Sequence, residues 1–136
     1  MGLSFATTPA DLLRAGLEGV TYRIALIYDR LRKALPGEPV VVACGVALFH
    51  SPAWMQMLAD VLGNPIHPAR VAETSARGTA LLVLEVLGLL RNGIKENGFD
   101  DKVLHADEKR HKIYRQAMQR QQAMYDKLII GWENPD

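Results

Sequence analysis

The sequence VVVACGVALFHSPAW, residues 40–54, decides the fold class of this protein. Its first residues are β-branched and uniformly apolar, which is typical of a strand covered on both faces in a layered α/β structure. Ser51 and Pro52 are residue types preferred at the N-cap and at the first position of a helix. The stretch therefore predicts a strand–turn–helix unit over about residues 39–62, with the turn at Gly45.

A long helix is expected before this unit, over about residues 8–35. Thr8 is a suitable N-cap, and Pro9 fits the first helical position. Apolar residues then recur at alternating spacings of four and three, so that they form one stripe along the helix. The stripe, which we expect to cover another element of the fold, consists of Leu13, Leu17, Val20, Ile24, Ile27 and Leu31.

Three further elements are expected after the strand–turn–helix unit. They are a short edge strand over residues 65–70, a helix over about 74–90 capped by Thr74 or Ser75, and a basic amphipathic tail helix over about 105–130. Together the elements predict a single α/β domain over residues 1–136, rich in helix and with about two core strands.

Composition excludes several classes of protein. The 136 residues are 49% hydrophobic and carry a formal charge of +1, so neither disorder nor a nucleic-acid or membrane-surface partner is favoured. The single Cys44 cannot form an internal disulfide, and we expect a cytoplasmic location. The longest apolar run, TALLVLEVLGLL, is too short to span a bilayer, and we expect it to form a buried helix.

The titratable residues do not form a recognisable catalytic or metal motif. The four histidines share no ligand spacing with one another or with Cys44, for which a buried, inert thiol is the expected state. We assign no catalytic and no metal-binding residue, and we interpret Glu18 and Asp60 as helix-end or packing residues. No glycine-rich phosphate loop of the common types is present. In open α/β sheets, however, ligands often bind outside the carboxyl ends of parallel strands. The segment CGVALFHS is therefore either a ligand site or a simple turn.

Three segments taken in order carry a family resemblance. AGLEGVTYRIALIYDRL, GVALFHSPAWMQMLADVLGNPI and ETSARGTALLVLEVLGLL closely resemble the C-terminal part of the FGGY family of carbohydrate kinases, which includes gluconokinases, xylulokinases and glycerol kinases. The similarity covers roughly residues 6–130. It implies an actin-like, ribonuclease H-like ATPase fold, of which this chain would be part of the C-terminal domain.

The resemblance also implies a site and a cofactor. ATP would place its adenosine against a small-residue turn formed by Gly45, Val46 and Ala47, with Ser51 starting the helix behind it. Val46 departs from the family, which often has a second glycine there. The family's Asp-x-Gly-Thr phosphate loop and its catalytic aspartate have no counterpart in these residues, so we expect Mg²⁺ to be supplied by the other half of a kinase.

Two hypotheses for the function follow. In the first, the chain is the adenosine-side part of a sugar or sugar-acid kinase, inactive alone and completed by an N-terminal kinase domain. In the second, it is a non-catalytic interaction module in which the long N-terminal helix or the basic tail helix forms a homo-oligomer that covers apolar surface. RNA binding by the tail helix is disfavoured by the nearly neutral charge.

Overall fold

The computed structural model describes residues 2–71, 73–89 and 99–130. Within them the elements occur in the order α1 (Pro9–Ala34), β1 (Val41–Ala43), α2 (Val46–Phe49), α3 (Pro52–Leu62), β2 (Ile66–Pro68), α4 (Thr74–Val86) and α5 (Glu108–Tyr125). A π-helical turn, Asp126–Ile130, extends α5. Most of the segment between α4 and α5 lies outside the described residues.

The start of α1 is fixed by a reciprocal capping arrangement. The hydroxyl of Thr8 accepts a hydrogen bond from the Asp11 backbone N–H, and the Asp11 carboxylate accepts one from the Thr8 N–H. The Thr8 hydroxyl also donates to Asp11 Oδ2 at 2.7 Å, and this bond, together with the one from the Thr8 backbone N–H, lowers the pKa of the Asp11 carboxyl. This cap satisfies N–H groups that the first turn of a helix leaves without partners, and it confirms the helix start read from the sequence.

The two strands form a parallel sheet in which Val41 pairs with Ile66 and Ala43 with Pro68. One face of this sheet packs against α3, and the buried residues of that cluster are Ala43, Met55, Leu58, Ala59 and Ile66. Because parallel strands point the same way, their carboxyl ends lie at one edge of the sheet. The turn at Gly45 therefore lies at that edge.

A second cluster joins α1, α3 and α5. Its buried members are Tyr22 and Ala25 of α1, Val61 of α3, and Tyr114 and Met118 of α5. α3 thus contributes one face to the sheet and another to the helices, which makes it the central element that positions the others.

The apolar stripe of α1 does not face this core. Leu13, Val20, Ile27 and Leu31 are more than half exposed, and the buried face of the helix is formed by the neighbouring Thr21, Tyr22 and Ala25. The prediction that the stripe covers another element is therefore wrong within this chain, since α3 and α5 pack on the adjacent face.

Two further predictions of burial are also wrong. β1 is covered on one face only, so Val42 is exposed. α4 has no buried residue, although its apolar run includes Leu82, Val83 and Val86. This helix starts after Glu73 without a side-chain cap, rather than at a Thr74 or Ser75 cap. Within the described part of the chain, Val42 of β1 and Leu82, Val83 and Val86 of α4 therefore remain uncovered.

No helix in the described part of the chain is long and apolar enough to cross a membrane.

Candidate functional site

The turn after β1 depends on the backbone freedom of Gly45. This residue has φ +106° and ψ 143°, a conformation that residues with a side chain rarely adopt. A Cβ built at Gly45 would meet no atom within 4 Å, so the space above the turn is open. α2 follows directly, and it exposes Val46 and Ala47.

Ser51 is the N-cap of α3, as its residue type predicts. Its hydroxyl accepts a hydrogen bond from the Trp54 backbone N–H at 3.4 Å, and Pro52 occupies the first turn. The serine is only partly buried. It therefore holds the start of α3 while part of its surface remains accessible.

A cleft of about 820 Å³ opens between α1, α3 and α5. Ser51 lines it, whereas Gly45, Val46 and Ala47 do not. The residues lining the cleft are Ala10, Leu13, Arg14, Leu17, Glu18 and Tyr22 from α1, Ser51, Ala53, Trp54, Gln56, Met57 and Asp60 from the α3 segment, and Arg110, Ile113, Tyr114, Ala117 and Arg120 from α5. Its size falls in the range of small-molecule sites.

Aromatic side chains give this cleft rigid walls. The indole N–H of Trp54 donates to the Thr21 hydroxyl at 2.9 Å, and that hydroxyl donates to the Leu17 carbonyl. Tyr22 and Tyr114 meet edge to face with their ring centroids 6.2 Å apart. Burial, together with the nearby Glu18 carboxylate, raises the pKa of Tyr22 to about 12. Tyr22 therefore stays neutral across the physiological pH range.

The charged side chains of the cleft differ in their pairing. Arg14 lies 2.8 Å from Glu18, which raises the pKa of the arginine, and Arg110 lies 3.4 Å from the buried Asp60. No carboxylate in the described part of the chain lies within 4 Å of the Arg120 guanidinium. The cleft therefore has one positive charge without an ion-pair partner among these residues.

Asp60 performs the packing role expected of it. Its Oδ1 accepts hydrogen bonds from the Gln56 side chain and from the Asp107 backbone N–H, both at 2.9 Å. Its backbone carbonyl lies 2.9 Å from His111 Nδ1. These contacts connect α3 to the start of α5.

The other candidate residues form no catalytic centre. Cys44 is exposed, which corrects the expectation of a buried thiol. Among residues 2–71, 73–89 and 99–130, no group of three histidine, cysteine or acidic side chains could hold a metal ion. The donors present therefore do not fit a magnesium site made by this part of the chain alone.

The sequence predicts the turn at Gly45 and the cap at Ser51 but not the cleft, which among the four predicted site residues is lined by Ser51 alone. Helical spacing in the sequence does mark two of the cleft's walls. The residues so spaced are Ala10, Leu13, Arg14 and Leu17 on α1, and Arg110, Ile113, Tyr114 and Ala117 on α5. Each set marks one face of a helix. Which faces meet depends on tertiary packing, which spacing does not encode.

Solved structures with the same architecture define the class of protein. A xylulose kinase from Rhodospirillum rubrum superposes on 98% of this chain and 27% of its own, with a TM-score of 0.75 and 24% identity. A glycerol kinase from Plasmodium falciparum, solved with ADP, superposes on 95% of this chain and 26% of its own, with a TM-score of 0.62 and 25% identity. The fold is part of the actin-like ATPase fold of the sugar kinases.

The sequence comparisons then assign the family. The signature "FGGY family of carbohydrate kinases, C-terminal domain" matches residues 1–84, and the chain belongs to this family. The L-xylulose/3-keto-L-gulonate kinase of Escherichia coli is 32% identical over 124 residues, which is 89% of this chain and 25% of that protein. A glycerol kinase from Methylobacterium nodulans is 37% identical over 91 residues, 65% of this chain and 18% of that protein. The chain thus spans about a fifth to a quarter of the length of these relatives.

Proposed function

We propose that this chain is the adenosine-side part of an ATP-dependent carbohydrate kinase that phosphorylates a sugar or sugar-acid hydroxyl. The observation that carries the proposal is the open turn at Gly45, which lies at the carboxyl edge of the parallel sheet and where a Cβ would meet no atom within 4 Å. The family match over residues 1–84 and the similarity to the Plasmodium falciparum glycerol kinase solved with ADP support the same proposal.

The turn suits the flat face of a base. Gly45 has no side chain, and the space above it is open, so the backbone at the end of β1 can be approached closely. Ala47 is small and exposed, while Val46 adds a branched side chain next to them. We propose that the base lies over Gly45 and Ala47, and that Ser51 marks the border between the turn and the cleft.

We expect this chain alone to bind a nucleotide without transferring its phosphoryl group. Transfer needs the nucleotide phosphates, Mg²⁺ and the attacking hydroxyl to be held together. The 136 residues contain no Asp-x-Gly-Thr sequence, and the described residues form no metal site. We therefore expect ADP formation from ATP and a sugar only when the N-terminal domain of such a kinase is also present.

Replacing Ala47 with leucine tests the nucleotide site. We expect the purified chain to bind a fluorescent ATP analogue, and Ala47→Leu to weaken that binding by about tenfold, or ~1.4 kcal/mol, because the larger side chain occupies the space of the base. Leucine is a good helix former, so α2 should tolerate it. Titration of the analogue against wild-type and variant protein measures both affinities.

Ala80→Leu is the matched control, because Ala80 is also an exposed helical alanine but lies on α4. It should leave the affinity unchanged. The turn is not a nucleotide site if both variants lose the same affinity for the ATP analogue, or if the wild-type chain does not bind the analogue.

A second candidate function is assembly with another copy of this chain. The exposed stripe of α1 favours it, because Ile27 and Leu31 are 58% and 54% exposed on a regular helical face. Light scattering would measure the mass in solution. We expect a dimer that Ile27→Asp converts to monomer, while Leu82→Asp on the equally exposed α4 leaves it intact. A monomeric wild-type chain would remove this candidate.

A further inference from the structure

The turn that begins at Gly45 is joined to the start of α3 by a series of local hydrogen bonds. The Phe49 N–H donates to the Gly45 carbonyl at 3.2 Å, and the Ser51 N–H donates to the Leu48 carbonyl at 3.1 Å. The Ser51 hydroxyl then accepts the backbone N–H of Trp54. Because the bonded segments overlap along the chain, the position of Trp54 constrains the position of the turn.

The side chain of Trp54 is in turn fixed to α1. Its indole N–H donates to the Thr21 hydroxyl at 2.9 Å, and that hydroxyl donates to the Leu17 carbonyl at 2.7 Å. A hydroxyl can accept one hydrogen bond and donate another, whereas valine has nearly the same shape and can do neither. Thr21 is fully buried, so the bond to the indole is shielded from water. Thr21 therefore connects the backbone of α1 to the first turn of α3.

We propose that Thr21 is a positioning residue for the nucleotide turn. Through Trp54 it holds the start of α3, and with it Gly45 and Ala47, in the arrangement that the base requires. The inference rests on the proposed nucleotide function, and it adds a buried residue of α1 that the ligand does not touch. Without the bond between Thr21 and Trp54, the turn adopts the binding arrangement for only a fraction of the time, and the apparent affinity falls by that fraction.

The test is titration of a fluorescent ATP analogue against the purified full chain and its variants, each first shown to be folded by circular dichroism. Thr21→Val leaves the indole N–H without its acceptor and should weaken binding by about fivefold. Thr21→Ser keeps the hydroxyl and should bind within about twofold of the wild type. Trp54→Phe removes the donor and should lose as much affinity as Thr21→Val. The double variant should bind little more weakly than either single variant, because both changes remove the same hydrogen bond.

Thr79→Val is the matched control. Thr79 is also a helical threonine whose hydroxyl donates to a carbonyl one turn earlier, that of Ser75 at 3.0 Å, but it lies on α4. Its replacement should leave the affinity for the analogue unchanged. A similar loss in Thr79→Val and Thr21→Val would mean that the loss does not come from the bond to Trp54.

The remaining outcomes separate this inference from the nucleotide function. If Thr21→Val binds the analogue like the wild type, or if Thr21→Ser loses as much affinity as Thr21→Val, the bond does not position the turn, while the nucleotide function stands. If Thr21→Val does not fold, Trp54→Phe decides, because wild-type affinity in that variant also overturns the role of the bond. If the wild-type chain does not bind the analogue, the nucleotide function is wrong and this inference falls with it.

Discussion

Replacing Asp60 with alanine should lower the free energy of unfolding by about 3 kcal/mol. The residue is 1% exposed, and its Oδ1 is the acceptor for both the Gln56 amide and the Asp107 backbone N–H. Alanine leaves the Asp107 N–H without its acceptor and removes one of the two acceptors of the Gln56 amide, which also donates to the His105 carbonyl. It also removes the partner of Arg110. Urea unfolding followed by circular dichroism measures the change.

Asp29→Ala is the control for this prediction. Asp29 is also a helical aspartate paired with an arginine, at 2.8 Å from Arg115, but both partners are partly exposed. Ion pairs of that kind contribute less than about 1 kcal/mol, so the control should lose little. Asp60→Asn should fall between the two, because the amide keeps an acceptor oxygen but loses the charge. Equal losses for Asp60→Ala and Asp29→Ala would contradict a central role for the buried carboxylate.

Asp60→Ala should destabilise the start of α5 more than the rest of the fold. The carboxylate accepts the backbone N–H of Asp107, the N-cap residue of α5, and Asp107 in turn caps the N–H groups of Lys109 and Arg110. Loss of the hydrogen bond between Asp60 and the Asp107 N–H should weaken the hydrogen bonds by which Asp107 caps α5. Amide hydrogen exchange in the first turn of α5 should therefore accelerate more than exchange in α1.

The elements that could be predicted from the sequence are those whose signals are local. Thr8 and Ser51 form the caps that their residue types and the following prolines indicate, because a capping bond joins residues three apart. The central role of Asp60 could not be predicted in the same way. Its partner Asp107 lies 47 residues away, and no local pattern specifies that meeting.

The apolar residues of α1 and α4 show why burial was predicted incorrectly. Periodicity identifies a face that is suited to burial, but it does not say whether this chain supplies the cover. Val20 and Ile27 recur with good helical spacing and remain exposed, whereas the polar Thr21 is fully buried beside Trp54. The matched part is 18% of one relative and 25% of another, so these faces have the composition expected of a larger domain.

Replacing Gly63 with alanine should also cost about 3 kcal/mol, for two separable reasons. Gly63 ends α3 with φ +68° and ψ 23°, a left-handed conformation that costs a residue with a Cβ about 1 kcal/mol. A Cβ at this position would also lie 2.5 Å from Cε1 and 2.8 Å from Nδ1 of His111. The ring cannot move away freely, since its Nδ1 is 2.9 Å from the Asp60 carbonyl.

Gly37→Ala separates the two contributions. Gly37 follows the end of α1 with φ +77°, and a Cβ there would meet no atom within 4 Å, so only the backbone cost of about 1 kcal/mol should appear. The difference between the two variants measures the collision with His111. His111→Ala in the Gly63→Ala background should recover part of the loss, so that the double variant is more stable than the sum of the single changes predicts. Strict additivity would mean that the ring adapts without cost, and that the end of α3 is not locked against α5.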